Sequence, residues 1–340
     1  MKRQLLALAA MTIAAGASAQ SNVTIFGVAD ASVAHISTPD KNVTGIASGG
    51  NASSRLGFRG VEDLGNGLKA GFWLEGGVSV DDGGTGFKFD RRSTISLMGD
   101  FGEVRLGRDK TPVYQVMENF HPFGDAGMGA INAHNLITSG AGTAEGSDPK
   151  RFSNAISYLL PKMGGVYGQL SHSFGEQAGD NSLASSTGLN LGYKSGPLNV
   201  ALGYNIARGG AVNAGVDYKT YNLGAAYEVA GITPMLLIAS ERGNDKRVDL
   251  YSFGVKAKLG NGELRAAYTM FKDKKQDNAD SKRLALGYGY KLSKRTEIYT
   301  TVARLNNDDA ASRKLGSALS PTPNKGKNLT GYEIGLRHSF

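Results

Sequence analysis

Five histidines, His35, His121, His134, His172 and His338, are scattered through the 340 residues, and none stands in an H-E-x-x-H or G-x-S-x-G arrangement. There are no cysteines. A hydrolase needs a nucleophile, a base and an orienting acid, and a zinc site needs imidazole or thiolate ligands at close spacing. Neither grouping is present, so no enzyme or cofactor is expected, and the one metal reading left open is a loop-bound calcium ion at Asp81 or Asp82. The arginines offer different chemistry. Arg55 and Arg59 alternate with Leu56 and Phe58, Arg92 is out of phase with Ile95 and Leu97, and Arg151 is out of phase with Ile156 and Tyr158. On an extended chain this parity sends the guanidiniums to one side and the apolar groups to the other. Arg91 has the opposite parity to Arg92, and a bulge would exchange the two. Arginine stays charged at any physiological pH and presents a planar fork to carboxylate or phosphate. Converging guanidiniums are tolerable only in water or with anions between them. Ordinary surface arginines would show the same parity, so the elements that position them decide the matter.

Period-2 alternation recurs along the chain. Leu198, Val200, Leu202, Tyr204 and Ile206 alternate with Asn199, Ala201, Gly203 and Asn205. The same holds in 221–229, 251–259 and 284–292. Each run is about 9 residues, the length of a tilted strand crossing a bilayer. A soluble sandwich or barrel also alternates, but it would need one core for the apolar half of every strand. The polar half here, rich in Gly, Ala, Asn and Lys, suits a wet lumen. Short turns fall at 63–66, 99–102, 161–165, 194–197, 229–232, 259–262 and 292–295. Longer polar stretches lie at 37–51, 81–86, 109–150, 175–186, 208–216, 242–246, 273–280 and 306–328. Seven turns and eight loops predict sixteen antiparallel strands in one transmembrane β-barrel, with turns on the periplasmic side. Strand 11, Pro234 to Ser240, and strand 15 alternate poorly, and their bounds stay open. The 109–150 stretch is too long for an idle connection and either folds into the lumen or lies outside.

Composition agrees. Glycine is abundant, at 48 residues, as many tight turns require, and proline is scarce, at 9. Lys2 and Arg3, an apolar stretch from Leu5 to Ala15 and Ala17-Ser18-Ala19 read as a secretory leader over 1–19, with the barrel occupying 20–340. The net charge of +8 includes Lys2 and Arg3. Such an excess can serve nucleic acid, anionic lipid or small anions; export removes nucleic acid from the expected partners.

Several segments resemble the trimeric general porins of Gram-negative bacteria, most closely the anion-selective group of beta-proteobacteria. They are Gln20-Ser-Asn-Val-Thr-Ile-Phe-Gly27, the block from Ser54-Arg-Leu-Gly-Phe-Arg to Gly-Phe-Trp-Leu-Glu75, Arg91-Arg-Ser-Thr-Ile-Ser-Leu97, Phe101-Gly-Glu-Val-Arg-Leu-Gly-Arg108 and Gly331-Tyr-Glu-Ile-Gly-Leu-Arg-His-Ser-Phe340. The resemblance implies a 16-stranded barrel, a homotrimer in outer-membrane lipid and lipopolysaccharide, and a third loop folded into the lumen as a constriction. It also implies that Arg55, Arg92 and Arg151 form a basic wall cluster there.

Loop acids are expected to face that cluster. Glu118 and Asp125 flank Asn-Phe-His-Pro-Phe-Gly, which resembles the loop tip of related porins without its glutamate. Glu75 shares parity with Lys69 and Trp73 and either moderates the cluster or pairs with one arginine. Arg59, Lys69, Lys256, Lys258, Arg265, Arg283 and Lys291 are candidates for a basic funnel that concentrates small anionic solutes. Tyr332, Ile334, Leu336 and Phe340 lie on one strand face and resemble the signal read by the barrel-assembly machinery; His338 departs from the apolar pattern. Passive diffusion with anion preference is the function this implies. The alternative is a substrate-specific channel for phosphate or organic acid anions, against which the inward aromatics Phe26 and Tyr167 look scattered. On the outward face of the first strand, Val23, Ile25, Gly27, Ala29, Ala31 and Val33 are small enough for close approach between barrels.

Overall fold

A computed structural model describes residues 22–131, 150–176, 178–210 and 214–340. The leader expected at 1–19 lies outside the described residues, as does His134. The strand segments are β1 (Asn22–Ser37), β2 (Asn42–Ser48), β3 (Arg55–Gly65), β4 (Leu68–Gly77), β5 (Arg92–Gly99), β6 (Gly102–Lys110), β7 (Arg151–Leu159), β8 (Val166–Ser173) and β9 (Ser186–Ser195). They continue as β10 (Leu198–Arg208), β11 (Asp217–Tyr227), β12 (Ile232–Gly243), β13 (Lys246–Leu259), β14 (Gly262–Asp273), β15 (Ser281–Lys291), β16 (Thr296–Asn307) and β17 (Leu329–Ser339). Each pairs antiparallel with its neighbours, and β17 pairs with β1 from Val28↔Ser339 to Ser37↔Thr330, so the sheet closes.

β2 and β3 are two halves of one stave. β2 pairs with Ala31–Ser37 of β1, and β3 pairs with Asn22–Val28 of the same strand. Seventeen described segments therefore make sixteen staves, the expected number. The first long stretch, expected as a loop over 37–51, is instead mostly the β1–β2 hairpin. The chain then bends at 49–54. The bend is held by Asp30, whose carboxylate accepts the backbone N–H of Gly50 (3.1 Å), Asn51 (3.0 Å) and Ala52 (2.7 Å).

The alternation separates two environments. Ile95 is 61% exposed, Phe253 61% and Ile334 59%, while their strand neighbours Thr94, Ser252 and Glu333 are buried. Water would penalise such an apolar band by about 25 cal/mol per Å²; lipid does not. Among the described residues no helix is long and apolar enough to cross a bilayer.

The apolar core sits inside the barrel. Helix α1 (Pro112–Asn119) follows β6; Thr111 caps it by accepting the Tyr114 N–H at 3.2 Å, and Pro112 occupies its first turn. Inward side chains of the wall hold the helix: Asn190 donates to the Pro112 carbonyl at 3.0 Å and Asn222 to that of Val113 at 2.7 Å. Val116, Met117 and Phe120 pack on Leu237, Leu250 and Phe271 of β12, β13 and β14. Phe123 and Met128 pack with Ile36, Leu305 and Leu329. Wall glycines make the room. A methyl at Gly224 would collide with the Phe120 ring, and one at Gly287 would come within 2.9 Å of Phe123. This covering explains the poor alternation of the strands expected as 11 and 15. On β12 the inward Met235, Leu237 and Ala239 are as apolar as the outward Leu236 and Ile238, because the loop segment covers them; on β16 the inward Leu305 is covered likewise.

The seam is closed by the last residue. Gly27 and Phe340 exchange two backbone hydrogen bonds, at 3.0 and 3.1 Å, and the Phe340 ring lies over Gly27, which is therefore covered rather than offered to a neighbouring barrel. Tyr332, Ile334 and Leu336 are exposed on the outward face. His338 shares that face and meets Thr296 at 2.9 Å.

Candidate functional site

On one side of the lumen, Arg55, Arg59, Arg91, Arg92, Arg105 and Arg151 surround a cavity of about 540 Å³ together with Lys110. The carboxylate side chains on the same lining are Glu75, Asp109 and Glu118. Cross-strand pairing aligns the wall: Arg59 sits opposite Trp73 on β3 and β4, and Glu75 opposite Arg92 on β4 and β5.

Glu75 is the hub. It accepts from Arg91 Nε at 2.7 Å and from Trp73 Nε1 at 3.0 Å, and Arg55 Nε stands 3.8 Å away. Arg91 also donates its backbone N–H to the Glu75 carbonyl at 3.0 Å, and its own carbonyl accepts from Arg151 Nε at 2.9 Å. Arg91 precedes β5, where the strict alternation has not begun, so both it and Arg92 reach the cavity without a swap. Arg92 lies over the Trp73 ring at 4.5 Å and 3.7 Å from Asp109. Arg151 reaches the cavity from the start of β7, although Asn154 (φ 52°) and a register slip between Gly107 and Asp109 of the paired β6 interrupt the ladder. Arg59 packs against Phe26 and Trp73, at 5.3 and 5.1 Å from the ring centres, and makes no ion pair among the described residues. Phe26 meets Trp73 edge to face at 5.0 Å, while Tyr167 lies apart on β8, its hydroxyl donating to Asn199 at 2.8 Å.

Glu118 and Asp125 lie on the third loop, as expected, but both are engaged. Glu118 pairs with Lys110 at 2.5 Å, and Asp125 accepts the Tyr114 hydroxyl at 2.7 Å. Burial alone would raise the Asp125 carboxyl, but the Tyr114 hydrogen bond and the charges of Lys150, Lys110 and Arg91 outweigh it and hold the group below the usual carboxylate range.

The funnel candidates separate. Lys256, Arg265 and Lys291 line a second lumen cavity of about 350 Å³ that Arg55 also reaches. There Arg265 pairs with Glu263 (3.0 Å) and Glu297 (3.1 Å), and Arg337 pairs with Glu297 at 2.6 Å. Lys69 stands across a rung from Asp63, next to the turn at Asn66, and Lys258 pairs with Glu228 at 2.9 Å near another turn. Arg283 departs from the expectation altogether. It is 1% exposed, sealed beneath the loop beside Phe271, and its Nη1 and Nη2 find no acceptor among the described residues. Its parity is inward, but inward here means under the loop rather than in water. His121 shares this dry region, and burial, with Arg283 and Lys256 nearby, keeps its ring neutral well below its ordinary pKa.

Arg105 is a member of the cluster that strand parity alone did not bring forward. It is buried and held by Asp109 (2.5 Å) and Glu103 (2.9 Å). Its position between Val104 and Leu106 on β6 carries the inward signal. Glu297 and Arg337 escape a reading of the sequence for a related reason: cross-strand partners appear only with the register.

Comparison with known proteins decides the family. Residues 6–310 match the model of the Gram-negative porin family. The chain is a Gram-negative porin. It is 36% identical over 355 residues to outer membrane porin protein 32 of Delftia acidovorans, with 100% of both chains covered. A major outer membrane protein P.IB of Neisseria meningitidis serogroup B is 28% identical over 368 residues, again with 100% of both covered. Among solved structures, the anion-selective porin from Comamonas acidovorans superposes with a TM-score of 0.88 at 34% identity, covering 94% of this chain and 100% of that one. This porin is thus a channel of the Gram-negative outer membrane and not an enzyme.

Proposed function

We propose that this porin passes ions and small hydrophilic solutes by passive diffusion and favours anions, with the arginine cavity as its filter. The observation that carries the reading is the unequal charge of the 540 Å³ cavity, where among the described residues six arginines and Lys110 meet three carboxylate side chains. A narrow aqueous pore selects by its fixed charge, and guanidinium charge does not titrate away. Wall aromatics position Arg59 without neutralising it, so its charge is available to a passing anion. The segment from α1 to Ile131, packed on the inward wall, narrows the water path beside this cluster. The similar barrel of Comamonas acidovorans is an anion-selective porin, which supports the same reading.

The porin is further proposed to be a homotrimer. The outward face of β1, with Val23, Ile25, Ala29 and Val33 exposed, carries neither leucine nor an aromatic ring, and a Vibrio cholerae OmpT of related fold is described in a trimer form. A leader over 1–19, outer-leaflet lipopolysaccharide around the barrel and recognition of the last strand by the assembly machinery complete the proposal.

Replacing Arg55, Arg92 and Arg151 together by Gln tests the filter. Zero-current potentials in planar bilayers should show the chloride preference reduced severalfold in the triple variant. A triple variant that keeps the native preference would overturn the filter.

A further inference from the structure

Below the arginine cavity, towards the short turns, lies a recess of about 460 Å³ lined by Arg59, Arg92 and Arg105, by Glu103, and by an apolar side that includes Val61 and Met98. We infer that it is a subsite for monocyclic aromatic carboxylates. The inference rests on the anion-pore reading and names a solute class for it.

Its cations are Arg59, and Arg92, which stands 3.7 Å from Asp109. Arg105 also borders the recess but is committed to Glu103 and Asp109. Among the described residues Arg59 meets no carboxylate; ring faces hold it in place instead. A guanidinium so held gives up little freedom when it takes a carboxylate, and its planar fork matches that group.

The apolar side needs a different explanation. Val61 lies on the lumen side of β3, paired with Gly71 of β4, yet it is 51% exposed. Met98 of β5 borders the same space, and a methyl built on Gly71 would stand 2.9 Å from its Cε, so the glycine keeps the floor open. Elsewhere on the lumen wall, inward apolar groups such as Leu237 and Leu305 are covered by the loop segment. Here Val61 and Met98 are left against water beside two cations. An inorganic anion or a short carboxylate makes no use of such a floor. A carboxylate bearing one aromatic ring uses both halves: its charge meets Arg59 and Arg92, and its ring covers Val61 and Met98, a burial that favours binding in proportion to area. Aromatic faces also stack readily on guanidinium planes.

The test uses the whole porin in a planar bilayer in potassium chloride, with sodium benzoate or sodium acetate added and the chloride current recorded. Benzoate should reduce the current at about a tenfold lower concentration than acetate, the gain expected from covering a few tens of Å² of apolar surface. Val61→Asn, and separately Met98→Gln, should bring the two blocking concentrations together. Equal block by benzoate and acetate in the native channel, with chloride preference intact, would overturn the subsite alone. A channel with no chloride preference would overturn the subsite and the anion reading together.

Discussion

Arg59, Arg91, Arg105 and Arg283 all point into the barrel, yet the same side chain does four things. Arg59 meets no carboxylate among the described residues and lies over two rings, Arg91 is half-neutralised by Glu75, Arg105 is locked between two acids, and Arg283 is buried. A buried charge opposes folding when nothing compensates its desolvation, and among the described residues Arg283 meets no carboxylate; even buried ion pairs, when replaced by hydrophobic groups, leave a fold in many cases more stable by about 1–4 kcal/mol. Arg283→Met should therefore raise the temperature at which the folded barrel converts to the unfolded band on a gel, and leave chloride preference unchanged. A lowered conversion temperature would mean that its contact with Phe271 matters more than its desolvation. Parity in the sequence found the inward arginines, including Arg55, Arg59, Arg92 and Arg151. It did not distinguish wet from dry, because Arg283 is dried by a loop far away in the chain. Ion-pair partners such as Asp109 for Arg105 were also illegible, since a bulge between Gly107 and Asp109 sets that geometry.

At the level of elements, the strands repeat a two-residue code, and the third loop edits it. Where α1 and the following turn cover the wall, the inward face of β12 turns as apolar as its outward face, and periodicity weakens there because both environments are dry. The glycines of the covered wall mark the path of the loop, a pattern that reads as ordinary strand glycine until Phe120 and Phe123 are seen against it. Gly224→Val places its branch in the Phe120 ring, and overpacking of this kind costs about 1–3 kcal/mol. The expected outcome is a loosened loop, seen as increased open-channel current noise and faster protease cleavage within 112–124. Native noise and native protection together would show that the loop does not depend on that contact. The first loop failed as a sequence expectation for a related reason. Asp30 captures three backbone N–H groups of the bend at 49–54, so a polar, glycine-rich stretch that resembles a loop is mostly paired strand.

For the whole molecule, closure of sixteen staves leaves a small-residue outward face on β1 and a lumen whose charge is arranged unevenly around its circumference. The face predicts association: extraction in mild detergent followed by mass measurement should give three chains per particle, and a purely monomeric species would remove the trimer. The uneven lumen predicts transport. Guanidiniums dominate one cavity, while the second balances Arg265 and Arg337 against Glu263 and Glu297. Fixed charges act over about 10 Å at ordinary salt, comparable to a narrowed lumen, so the excess is felt across the water path. The decisive measurement is the zero-current potential of the native porin in a planar bilayer across a potassium chloride gradient. Chloride flowing ahead of potassium should make the dilute side negative; a positive dilute side would contradict an anion-selective pore.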